Sequence, residues 1–242
     1  MRTLGVDFAA QPKNTTLCEI VWDGTTATIV EVAGNVTDDQ IRTLVAGPPS
    51  RVIGVNVPFG WPIRFVQFVQ AHQSRVTPPV SATMAEFRLR ETDRYVGEVF
   101  KKHPLSVSTD RIGMPALRWA QLLDEFGVTS RAGDGQFYEV SPALARRVWG
   151  LDERDDAAAL DVVAAQCPIA FTAAEQRDTL LRNKHAFDAL LCSLIARAAA
   201  LGLTVPPPAE LRVAAEVEGW IHAPQPASLA QLIAIDPPPG AT

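Results

Sequence analysis

Asp7 lies in Leu4-Gly5-Val6-Asp7-Phe8, an apolar run that reads as a strand. Two-residue alternation puts Leu4, Val6 and Phe8 on one face and Gly5, Asp7 and Ala9 on the other. A carboxylate inside a central strand must be paired, protonated or metal-bound, because an isolated buried charge is costly. The small neighbours Gly5, Ala9 and Ala10 leave space around it. The plainer alternative is a strand-end acid closing a turn. His185 and Asp188, in His185-Ala186-Phe187-Asp188, are three apart, so a helix presents both on one side. Such a pair completes a metal site or supplies a proton shuttle. The bland alternative is a helix-start pair that only answers the macrodipole.

Glu139, in Tyr138-Glu139-Val140-Ser141-Pro142, stands at a strand end just before a proline-started helix. Such junctions are frequent ligand positions in α/β folds, although an acid there often only caps the helix. Asn56 is a polar residue in the apolar run Gly54-Val55-Asn56-Val57, ahead of a rigid turn set by Pro58, Gly60 and Pro62. It either ligates or ties the turn through its amide. Together these positions span most of the chain, as the ligands of a two-metal site do. Two ions about 4 Å apart stabilise the attacking and leaving oxygens of phosphodiester cleavage. Mg²⁺ or Mn²⁺ is the hard cation that such oxygen donors prefer.

The elements that must position these residues follow from periodicity and turn chemistry. Strands are expected over 3–9, 16–22 and 26–32, with Asp23-Gly24 as a hairpin turn, making three antiparallel neighbours. A helix over 35–46 is capped by Thr37, and 51–57 is a buried strand. A helix over 61–71 comes next, and residues 74–111 read as a partly helical insertion. The helix over 115–126 turns Leu117, Leu122 and Leu123 inward. A strand over 136–140, helices from Pro142, over 156–165 and over 180–201, and an edge strand at 218–222 complete the pattern. This is a mixed α/β layout, a five-stranded sheet with helices on both faces. The main domain is expected to cover 1–224, with a Pro- and Ala-rich tail over 225–242, disordered at 237–242.

The net charge of -5 argues against wrapping of nucleic acid over a broad basic face, while leaving a local basic groove open. Cys18, Cys167 and Cys192 form no CxxC pair, so neither a zinc site nor a disulfide framework is expected. No signal peptide and no apolar stretch of ~18 residues is read, and a reducing cytoplasm is the default location.

The chain resembles the domain of unknown function 429 family. The matching pieces are Gly5-Val6-Asp7, Ile53 to Pro58 with Gly60-Trp61-Pro62, Arg90-Glu91-Thr92-Asp93, and Ser108 to Gly113. Tyr138 to Pro142, Lys184 to Ala189 and Glu218-Gly219-Trp220-Ile221 complete them. The resemblance implies a ribonuclease H-like sheet and a nuclease, with acids on the first strand, the fourth strand and the last helix. His185-Ala186-Phe187-Asp188-Ala189 is also similar to the corresponding motif of bacterial Holliday-junction resolvases. Where the family usually has Asp, this chain has Asn56, which ligates only through a neutral oxygen.

The expectation is thus a Mg²⁺- or Mn²⁺-dependent nuclease acting on DNA or RNA. Asp7, Asn56, Glu139 and Asp188 would bind metal, His185 would move a proton or position water, and Arg90, Arg94 and Arg111 would contact phosphate. A catalytically silent nucleic-acid or protein-binding module on the same fold is the alternative. An ATP-using enzyme ranks third, since no second glycine-rich phosphate loop is present.

Overall fold

The computed structural model describes residues 1–47, 51–77 and 81–233. Strands β1 (Arg2–Asp7), β2 (Thr16–Trp22) and β3 (Ala27–Ala33) form an antiparallel meander. Asp23 closes the second turn by accepting the backbone N–H groups of Thr25 and Thr26 at 2.9 and 2.8 Å. Helix α1 (Asp38–Val45) starts on a capping box between Thr37 and Gln40, and β4 (Arg51–Asn56) runs parallel to β1. Helices α2 (Ile63–Gln73), α3 (Met84–Arg88), α4 (Glu91–Phe100) and α5 (Gly113–Glu125) lead to β5 (Phe137–Glu139). Then come α6 (Pro142–Trp149), α7 (Asp156–Gln166), β6 (Ile169–Phe171), α8 (Ala174–Arg182), α9 (Lys184–Ala200) and α10 (Arg212–Glu218).

Among the described residues the sheet has six strands in the order β5-β4-β1-β2-β3-β6, not five. The extra strand, β6, is three residues pairing parallel to the end of the meander, too short to show a periodicity. The expected edge strand at 218–222 is corrected as well. Glu218 ends α10, and Ile221 makes only a single parallel bridge with Glu139. The expected helix over 180–201 is two helices, parted at Asn183, whose side chain accepts from the His185 N–H and so starts α9 afresh. In α5 the inward residues are Ala116, Trp119, Leu122 and Leu123, while Leu117 is 53% exposed. Leu117 follows Ala116 by one position, a rotation of about 100° away from the core stripe.

The two faces of the sheet have separate cores. On one, Leu4, Val6, Phe8, Ile53, Val55 and Phe137 pack with Trp119, Leu122 and Leu123 of α5. On the other lies α9, buried along most of its length against β1, β2 and β4. Glycines admit that helix. A Cβ on Gly5 would stand 2.0 Å from the Ala189 carbonyl oxygen, and one on Gly54 would stand 2.5 Å from that of Cys192. Gly54→Ala is therefore expected to destabilise the protein by about 3 kcal/mol, the upper range for overpacking a filled core. A lowered urea midpoint with an unchanged m value checks this.

The segment expected to begin a tail is packed against the body. Leu229 and Leu232 are buried, and Ser228 accepts the Trp149 indole N–H at 3.0 Å. The disorder expected at 237–242 lies outside the described residues. No helix among the described residues is long and apolar enough to cross a membrane.

Candidate active site

Parallel pairing of β1 with β4 sets Asp7 beside Asn56 at the carboxyl ends of both strands. In open α/β sheets, ligands bind in the crevice beyond those ends. The first turns of α9 pass over the same point, because Gly5 and Gly54 draw the helix onto the sheet. The Thr16 hydroxyl fixes its start by donating to the His185 carbonyl at 2.6 Å. The Asp7 carboxylate is then held from two sides. Asn56 donates Nδ2 to Oδ1 at 2.7 Å, and His185 Nδ1 lies 2.7 Å from Oδ2. Asp7 is buried, while the His185 side chain is 56% exposed.

Asp188 follows His185 by three positions and lines a cleft of about 220 Å³ together with Asn56. Burial, and then the nearby Asp7 charge, push its carboxyl up to about 6. Arg146 and Lys184 oppose that rise. Arg146 Nη2 stands 3.9 Å from Asp188 and 2.5 Å from Asp156, with its guanidinium over the Phe187 ring. A carboxyl held neutral to this degree is a proton donor in mildly acidic solution.

Glu139 does not join this group. In the register, Glu139 pairs with Val55 and Val55 with Val6, so its side chain points to the face opposite Asp7 and Asn56. There it accepts two bonds from Arg90, at 2.7 and 2.8 Å, and one from the Phe59 N–H at 2.9 Å. Arg90, expected to touch phosphate, is instead 2% exposed and also bonded to Asp93 and the Glu218 carbonyl. Arg94 is ion-paired to Glu91, and Arg111 is exposed before α5. None of these three arginines lines the cleft at Asp188; Lys102, Arg146 and Lys184 do.

Several motif residues thus belong to a buried clamp rather than to the cleft. The Glu218 carboxylate accepts the N–H groups of Ile63 and Glu91, both at 2.7 Å, and so caps α2 and α4 together. Gly219, at φ 94°, lies so close that a Cβ there would stand 2.6 Å from Glu139 Oε2.

A resident cation fits these residues poorly. Both Asp7 oxygens are engaged, Asn56 turns its amide N–H to Asp7, and Glu139 is on the other face. Among the described residues, no three His, Cys, Asp or Glu side chains are grouped so that they could hold a metal ion. The charged cleft residues that sequence reasoning passed over are Lys102, Arg146, Glu153 and Lys184. Lys184 adjoins the His185 motif, whereas nothing in a lone Arg146-Arg147 pair marks the inward one.

A family model described as a protein of unknown function (DUF429) matches residues 5–212. No curated protein and no solved structure matches the chain.

Proposed function

The chain belongs to the DUF429 family, and from that premise we propose that it is a phosphodiester hydrolase of nuclease type on a ribonuclease H-like fold. The antiparallel meander, with two further strands added parallel beside β1, supports the fold reading. The observation that carries the activity is the Asp7 carboxylate held between Asn56 and His185, with its charge felt by the Asp188 carboxyl, which lines one cleft together with Asn56.

Asp7 accepts the Nδ1–H of His185 and so fixes the tautomer whose Nε2 is a base. Nε2 takes a proton from water as its oxygen attacks phosphorus. The bond from phosphorus to the leaving oxygen breaks, and that oxygen takes the Asp188 proton. Asn56 holds the Asp7 carboxylate in place throughout. Solvent then returns a proton to Asp188 and removes one from His185. No step is routed through a metal, because the donor set does not close around one.

The pH dependence tests the division of labour. Asp188 acts when protonated, so the rate on single-stranded DNA, RNA or a chromogenic phosphodiester is expected to fall about tenfold per pH unit above roughly 6. Asp188→Asn abolishes that limb and lowers the plateau by ~10²-fold. The same substitution stabilises the fold at neutral pH. A carboxyl raised in the folded state contributes most below its unfolded value of 3.8, and loses that contribution as pH rises through about 6. The gain at pH 7 is on the order of 2 kcal/mol, read from urea midpoints. An unchanged pH profile in Asp188→Asn would remove Asp188 from the chemistry.

A further inference from the structure

His185 carries the proposed base, yet its side chain is 56% exposed, so close packing does not lock the ring in one place. Hydrogen bonds must do so instead. Asp7 holds the ring, 2.7 Å from Nδ1. The backbone from which the ring swings needs a hold of its own. His185 is the second residue of α9, and a first helical turn frays because its N–H groups lack intrahelical partners. Asn183 accepts the His185 N–H at 3.0 Å, but it is two residues away and travels with the helix start. Gly5 and Gly54 seat the helix on the sheet at Ala189 and Cys192, about one and two turns further on.

Thr16 ties the first turn itself to the sheet. It stands opposite Asp7 in the β1–β2 register, and directly opposed residues of an antiparallel pair share a face. Its hydroxyl donates to the His185 carbonyl at 2.6 Å, across 169 positions of the chain. Thr16 is buried, and a β-branched side chain is stiff at χ1, so the hydroxyl is delivered in a fixed direction. The connection between the two strands is anchored in turn. Arg118 donates to the Ala9 carbonyl at 2.6 Å and to the Thr15 hydroxyl at 2.9 Å. A buried strand position facing a helix is served as well by valine. What threonine adds here is the donor.

We propose that Thr16 is a positioning residue for His185: cross-strand neighbours grip the histidine at both ends, Asp7 at the ring and Thr16 at the carbonyl. The proposal rests on the hydrolase reading above and adds a residue that touches neither substrate nor the reacting atoms. Thr16 belongs to none of the motifs that mark the site in the sequence, where it reads only as a strand former.

The test compares Thr16→Val, which keeps the shape and removes the donor, with Thr16→Ser, which keeps the donor and removes the methyl. Two readouts are taken on the full chain. One is steady-state hydrolysis of a chromogenic phosphodiester. The other is the ¹⁵N spectrum of the His185 ring at pH 8, assigned by difference from His185→Ala, which reports the tautomer without turnover. Thr16→Val is expected to lower kcat about tenfold, as a small misplacement of a base does, with KM within about twofold. The ring signals move from the Nδ1–H form toward a mixture of tautomers. Thr16→Ser is expected to restore both readouts. Thr16→Ala gives the same comparison should Thr16→Val fail to fold. Unchanged ring signals and unchanged kcat in the donor-less variant overturn the proposal. So does an equal loss in Thr16→Ser, which would make Thr16 a packing residue only. Ring signals that move in Thr16→Val and return in Thr16→Ser, in a chain whose wild type hydrolyses nothing, leave the placement of His185 standing and sink the hydrolase reading alone.

Discussion

His185→Ala is expected to lower phosphodiester hydrolysis by roughly 10²–10⁴-fold, the usual contribution of a positioned general base. The fold should not register the change. The side chain is 56% exposed, and a surface substitution of that kind stays within about 0.5 kcal/mol. Asp7→Asn should cost a similar factor for a different reason. An amide facing His185 Nδ1 donates where the carboxylate accepted, which places the ring proton on Nε2 and removes the base. Asn56 keeps its bond to the retained oxygen. The two losses should also fail to add in the double variant, because both act through one imidazole. Wild-type rates in both single variants would leave the crevice without a catalytic role.

Glu139→Ala is expected to do the reverse, costing about 3–5 kcal/mol of stability while changing turnover per folded molecule less than about twofold. The stability cost is that of breaking a buried ion pair and leaving its partner charged. Arg90 would retain Asp93, but the Phe59 N–H would lose its acceptor in the interior. Catalysis is spared because Glu139 points away from Asp7 across the sheet. Urea denaturation, with rates normalised to the folded fraction, separates the two effects. A stable Glu139→Ala protein with a 10²-fold slower rate would put Glu139 back into the chemistry.

That contrast marks where the sequence was legible. Alternation in Leu4 to Phe8 gave the correct face to Asp7, because five residues with large apolar side chains at every second position define a phase. The spacing of His185 and Asp188 gave a shared helix side for the same reason. Glu139 belongs to a strand of three residues, where a shift of one position reverses the face and no long pattern fixes it. Arg90 stood in a run rich in charge and read as a contact to phosphate. Its burial depends on Glu139 and Glu218, which are far away in the chain and reach it only through the fold. Helix α9 was visible as an apolar run, but its start was not, since Asn183 acts as a cap only once the chain has turned. Motif residues therefore fall into two groups that spacing alone does not separate, one lining a crevice and one clamping α2, α4 and β5 together.

The separation bears on the cofactor. Three acids meeting at one point would hold hard cations, and the sequence pattern invites that arrangement. The fold supplies two acids and one amide there, with one acid already bonded on both oxygens. Acid–base chemistry by His185 and Asp188 asks less of such a site than charge neutralisation by paired ions.

The most direct measurement is the rate of cleavage of a fluorescent oligonucleotide at pH 6, by protein dialysed against EDTA and again after addition of Mn²⁺. The account predicts hydrolysis in EDTA, abolished by His185→Ala and changed less than about threefold by Mn²⁺. Cleavage that appears only with Mn²⁺ and persists in His185→Ala would contradict it.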